Sequence, residues 1–94
     1  MSAFYKQQSF PVLYGKSVHR NVVYTTLGVR ARKAFDKLHR KRRGYDIREN
    51  WWDNFGWLDG ATLDDFRQLA NVGPATMIEI ASFLRRMGIN LDSE

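Results

Sequence analysis

The side chains with the plainest chemical capacity in this 94-residue sequence are closely spaced cations: Arg30, Arg32, Lys33 and Lys37, then the run His39-Arg40-Lys41-Arg42-Arg43. Basic groups at this density attract a polyanion, and each phosphate they neutralise releases counterions, so affinity falls as salt rises. A solvated helix end is the plainer alternative. A second place for an anion is the stretch Val72-Gly73-Pro74-Ala75-Thr76. Gly73 can take backbone angles closed to other residues, and Pro74 suits a first helical position, where no N–H is needed. The amides of such a turn and helix start are uncommitted donors for a phosphate. An ordinary helix connection accounts for the same residues.

Other chemistries are poorly served. There is no cysteine, and His19 and His39 stand in unrelated contexts, so no metal-ligand spacing exists and neither metal nor cofactor is expected. No phosphate loop, dinucleotide fingerprint or nucleophile elbow occurs. Asp64 and Asp65 are adjacent carboxylates, but acids in the first turn of a helix stabilise its dipole. The expectation is a non-enzymatic protein without a small-molecule substrate. It has no long apolar run and no signal-like segment after Met1, which predicts no membrane partner and a cytoplasmic location.

The elements that must position these groups are read from periodicity. Leu27, Ala31, Ala34, Phe35 and Leu38 share one face, with Thr25 or Thr26 as a cap and Gly44 as the stop, making an amphipathic basic helix. Arg30 falls in its first turn, directed toward the side of the hairpin amides. Asn50 is placed to cap a helix carrying Trp51, Trp52 and Phe55, with Trp57 and Leu58 before an Asp59-Gly60 turn. The tryptophans belong in the core with one partly exposed, because a small domain needs large apolar side chains. Thr62 with Asp65 resembles a capping box opening a short helix with Leu63, Phe66 and Leu69. The last helix starts at Pro74, buries a stripe of Met77, Ile80, Ala81, Leu84 and Met87, and stops at Gly88 with Ile89 folded over it. Residues 69–91 thus form a helix-hairpin-helix unit.

The first 26 residues, with Phe4, Tyr5, Phe10, Val12, Tyr14, Val18, Val22, Val23 and Tyr24, fit extended structure better than helix. Two readings stand, a hairpin turning near Gly15 and an extended arm packed on the helical body. Charge is segregated. Residues 1–50 hold twelve Lys or Arg against three acids, +9, and residues 51–94 hold three against seven, −4, which sum to the net +5. Such polarity suits one side meeting a polyanion and the other meeting water or a basic partner.

LGVRARKAFDKL at 27–38 and TLDDFRQLANVGPATMIEIASFLRRMGINL at 62–91 resemble, in that order, the C-terminal domain of the bacterial RNA polymerase alpha subunit. The resemblance implies a mainly α fold, a compact four-to-five-helix bundle ending in a helix-hairpin-helix, preceded here by an extended or short β arm at 1–26. Residues 39–50 are then an inserted basic segment within a 27–91 domain, and 92–94 a tail. It further implies binding to double-stranded, A/T-rich DNA through the minor groove and phosphates, and docking to RNA polymerase or a transcription factor. The minor-groove arginine corresponds to Arg30, the turn glycine to Gly73 and the phosphate-contacting hydroxyl to Thr76. The family's asparagine is Lys33 here, and its basic residue before the hydroxyl is Ala75. The expected DNA-binding set is therefore Arg30, Lys33, Gly73, Ala75 and Thr76, joined by Arg32, Arg40, Lys41, Arg42 and Arg43. A free-standing transcription factor, phage-encoded or host-encoded, follows from the missing second domain. The alternatives are a protein-interaction module without DNA contact and, more remotely, an RNA-binding protein using the N-terminal aromatics and the basic run.

Overall fold

In the computed structural model, which describes residues 17–91, one long helix carries the fold. Four α-helices follow in chain order: α1 at Arg20–Thr26, α2 at Val29–Arg43, α3 at Leu63–Arg67 and α4 at Pro74–Arg86, with a 3₁₀ turn at Gly56–Leu58 between α2 and α3. The described residues are mainly helical and include no strand. The long helix α2 packs against α4, α3 and the 3₁₀ turn, and α3 packs against α4.

The reason α2 is central lies in its apolar spacing. Ala31, Ala34, Phe35, Leu38 and His39 are all buried along one face. Phe35 is the hub: its ring stacks on Trp51 at 4.4 Å and 12°, and meets Phe66 at 5.0 Å, Phe83 at 5.5 Å and Trp57 at 6.5 Å edge to face. These are the geometries aromatic quadrupoles favour. Trp51, Phe55 and Trp57 are buried while Trp52 packs against the core half-exposed, as a core role with one partly exposed tryptophan requires.

Three expectations need correction. The segment Arg20–Thr26 is helical rather than extended. His19 Nδ1 accepts from the Asn21 amide at 3.1 Å as a cap, and only Val23 of the segment is buried. Burying one side chain against the body outweighs the weak β preference of Val22, Val23 and Tyr24. Residues 1–16, where the proposed arm or hairpin also lay, and the tail at 92–94 fall outside the described residues. Second, neither Thr25 nor Thr26 caps α2. Gly28 is the N-cap, and Leu27 ends α1 by donating its amide to Val23. Third, the tryptophan segment is a turn, not a helix capped by Asn50: the Asp53 amide donates to the Asn50 carbonyl at 3.1 Å, while Asp53 Oδ2 accepts from the Asn50 amide at 3.0 Å. His39–Arg43 are the last turn of α2, in keeping with the stop expected at Gly44. The helix ends where Gly44 turns to a positive φ of 118°.

The hairpin is partly as expected. The Thr62 amide donates to Asp65 Oδ2 at 3.0 Å, which is the acid's half of the capping box. At the other end, Gly88 has φ 76° and its amide reaches the Arg85 carbonyl, while the Ile89 amide reaches that of Leu84 at 2.8 Å. That pairing is a Schellman closure. The buried stripe of α4 is Thr76, Ile80, Phe83 and Leu84, so it is rotated from the expected one, with Met77, Ala81 and Met87 at its margins. Phe83 displaces them because it alone is large enough to reach Phe35 and Trp51.

His39 is the exception in this core. It is 1% exposed, its ring lies 5.1 Å from that of Trp57, and neither ring nitrogen has a hydrogen-bond partner among the described residues. Glu49 Oε1 stands 3.9 Å from Nε2. Burial pushes the imidazole below its ordinary 6.5, outweighing the opposite pull of Glu49 and Asp36. A lowered folded-state value means that the unfolded chain binds the proton first. Stability is therefore full above 6.5 and declines as pH falls from there through the folded value. Urea midpoints taken across that window should fall with pH in the wild type. In His39→Leu the component of the slope due to this residue should vanish.

Candidate nucleic-acid interface

Two helices begin at one place on the surface. Both α2 and α4 have a glycine at the N-cap, Gly28 and Gly73, and neither cap supplies a side-chain hydrogen bond to the first-turn amides. Those starts border a shared hollow of about 320 Å³, lined by Gly28, Val29, Arg30, Ala75, Thr76 and Glu79. The sequence pattern placed Arg30 beside the hairpin, and the fold brings Arg30, Ala75 and Thr76 onto this one hollow. Converging helix N-termini add partial positive charge to that of the guanidinium. The arrangement sets a guanidinium and backbone donors beside the Thr76 hydroxyl and the Glu79 carboxylate.

Thr76 lines this hollow although the residue as a whole is only 8% exposed. Glu79, absent from the residues expected at the site, is the other constituent. Its carboxylate accepts the Gly28 amide, with both oxygens at 3.4 Å, and so ties α4 to the start of α2. A Cβ on Gly28 would stand 3.3 Å from Glu79 Oε2, so a larger residue there would press on the carboxylate that accepts the Gly28 amide. Its partner is 51 residues earlier, and no local pattern announces that pairing.

Gly73 does something other than expected. Its φ of −100° is open to any residue, and the left-handed position in the loop is Asn71 at φ 66°. A Cβ added to Gly73 would meet nothing within 4 Å. The glycine is thus unneeded by the fold and leaves the α4 start bare. Gly73→Ala should change stability by less than about 0.5 kcal/mol, as a substitution in open space does. Gly88→Ala, forced into the left-handed region, should cost about 1 kcal/mol. Paired urea denaturation curves check both. A Gly73→Ala protein that folds normally and binds duplex DNA more weakly marks the bare helix start as a contact.

The basic residues divide sharply. Arg30, Lys33 and Lys37 line a neighbouring hollow of about 410 Å³ with Val29, Ala34, Ala70 and Asn71 of the hairpin loop. Arg32 instead donates to the Leu27 carbonyl at 3.0 Å and lies 4.2 Å over the Tyr24 ring. Arg40 pairs with Asp36 at 3.1 Å and reaches the Tyr45 carbonyl at 3.2 Å. Arg42 donates to the Trp57 and Asp59 carbonyls, both at 2.6 Å, and so clamps the end of α2 to the 3₁₀ turn. Arg43 borders a separate recess with Arg42, Gly56, Trp57 and Asp59. The expected unpaired cluster at 40–43 is therefore not a single patch: Arg40 and Arg42 are held by the protein itself. Lys37, left out of the expected set, lines the same hollow as Arg30 and Lys33. Its spacing of four from Lys33 was the available signal.

Comparison with protein-family models, curated proteins and solved structures gave no match to this chain. Function is therefore argued from its own residues. Among the described residues no group of three or more His, Cys, Asp or Glu is placed to hold a metal ion, and no helix is long and apolar enough to cross a membrane.

Proposed function

We propose that this chain is a non-enzymatic double-stranded DNA-binding protein acting in transcription, a relative of the C-terminal domain of the bacterial RNA polymerase alpha subunit. The observation carrying this reading is the shared hollow at which Arg30 meets the starts of α2 and α4. In it, Arg30 enters the minor groove, where narrow A/T-rich segments concentrate negative potential. The amides after Gly73, beside Thr76, hold an adjacent phosphate in the manner of helix N-termini. Lys33 and its neighbours add sequence-independent attraction. Ala75 brings no charge, so the hairpin half relies on backbone donors alone. The test is a titration of wild-type protein with A/T-rich and G/C-rich duplexes at two salt concentrations. Tighter binding to the A/T-rich duplex, weakening with salt, is expected; no binding to either at low salt removes the reading.

A second reading is favoured by one other observation. Tyr24, 47% exposed, stands edge-on to the half-buried Trp52 at 6.3 Å under the Arg32 guanidinium. Such an exposed aromatic pair suits a protein-interaction module that binds RNA polymerase or another transcription factor without DNA contact. Co-purification with polymerase, together with a failure to shift duplex DNA, distinguishes it.

A further inference from the structure

The cations of α2 that the protein does not use itself form a line. At 3.6 residues per turn, Arg30, Lys33, Lys37 and Lys41 fall within an arc of about 80°, and a rise of 1.5 Å per residue spreads them over about 16 Å. All four are exposed, and none has an ion-pair or hydrogen-bond partner among the described residues. Asp36, the acid next to Lys37 in sequence, is engaged with Arg40, and Glu49 stands beside His39. Glu79, beside Arg30, is tied to the Gly28 amide. The row begins at the hollow shared by the two helix starts and leads away from it along α2.

We infer that Lys33, Lys37 and Lys41 form a phosphate track that follows one strand of a DNA duplex outward from Arg30. This rests on the DNA-binding reading and extends it, since that reading needs only the hollow. The three ammonium groups are separated by four residues each, about 6 Å of helix, a rigid and even row suited to the regular phosphates of a stiff duplex. Single-stranded nucleic acid is recognised by stacking bases on aromatic rings beside a basic groove. Among the described residues the exposed rings lie off this row: Tyr24 is under Arg32 on another side of α2, and Tyr45 is beyond its end. A helix without the track would hold the duplex only at its N-terminal end. With it, α2 lies along the backbone and binding depends more steeply on salt.

The experiment is fluorescence anisotropy of a labelled A/T-rich duplex over a salt series, with a single-stranded RNA of equal length in parallel. The proteins are wild type, the triple variant Lys33→Gln, Lys37→Gln, Lys41→Gln, and Arg40→Gln as a basic residue off the track. Each lost phosphate contact lowers the slope of log affinity against log salt by about 0.9, so the triple variant should lose about 2.7. Arg40→Gln should keep the wild-type slope. Thermal melts should change little in the triple variant, because its side chains have no ion-pair or hydrogen-bond partner among the described residues. A triple variant that keeps the wild-type slope while binding remains sensitive to Arg30→Ala overturns the track and leaves the hollow standing. Wild type that fails to bind duplex overturns both. Tighter binding to the RNA, with the same lysine dependence, overturns the assignment to duplex DNA.

Discussion

Replacing Arg30 by alanine should weaken binding to an A/T-rich duplex about tenfold or more and narrow its preference over a G/C-rich one, while leaving thermal stability unchanged. The two halves of that expectation come from different features of the residue. Arg30 is exposed and sits in the first turn of α2, with no intramolecular hydrogen bond or ion pair among the described residues, so its removal costs the fold nothing beyond a small surface effect. Its functional weight comes from position. It lies on the hollow where two helix starts meet, and an inserted cation gains most where the minor groove is narrow. Loss of one such contact costs about 1–3 kcal/mol. Arg32→Ala is the contrasting variant. Its guanidinium is engaged with the Leu27 carbonyl and the Tyr24 ring, so it should lower stability more than affinity. Anisotropy titrations and melts of the two proteins side by side check the pair, and equal affinities in wild type and Arg30→Ala would remove Arg30 from the interface.

Replacing Phe35 by alanine should cost about 3–5 kcal/mol, the usual price of removing a fully buried phenyl ring. Phe35 is 0% exposed and its ring contacts those of Trp51, Trp57, Phe66 and Phe83. These partners belong to the tryptophan turn, the 3₁₀ turn, α3 and α4, so the lost ring leaves a cavity bordered by every element packed on α2. Small domains have about 5–15 kcal/mol in all, and a substantial unfolded population follows. A urea titration followed by tryptophan emission reads it directly, since Trp51 stacks on the missing ring. A much lower midpoint with a red-shifted native baseline is expected. A midpoint within about 1 kcal/mol of wild type would mean that the site collapses around the gap. Phe35→Leu, which keeps most of the volume, should cost distinctly less.

How much of this was legible in the residues varies by element. The core face of α2 was, because spacing of three and four between Ala31 and Leu38 has one helical reading, although Leu27, expected on the same helix, ends α1. The Gly88 stop and the Asp65 half of the capping box were legible too, since both are decided within a few residues of chain. The α1 segment was not: Val22, Val23 and Tyr24 favour strands when isolated, and only the packing of Val23 on a distant surface reverses that preference. Nor was the tryptophan turn, where large aromatics at helical spacing instead wrap around Phe35. At the site, Arg30 was found by its place in a helix start, whereas Glu79 escaped notice because its partner is distant in sequence.

By itself the sequence determined the helical period of α2, the sign and segregation of charge, and the helix ends at Gly44, Gly88 and Thr62-Asp65, because each is set by neighbours within about one or two helical turns. Only the tertiary structure decided which cations are available. Arg32, Arg40 and Arg42 read the same as Arg30, Lys33, Lys37 and Lys41 in a linear chain, but folding sets carbonyls, an acid and a ring beside the first group and solvent beside the second. Long-range proximity also joined the starts of α2 and α4 around one hollow. The physical reason is that partner choice depends on distance in space, which local spacing specifies only along a single helix.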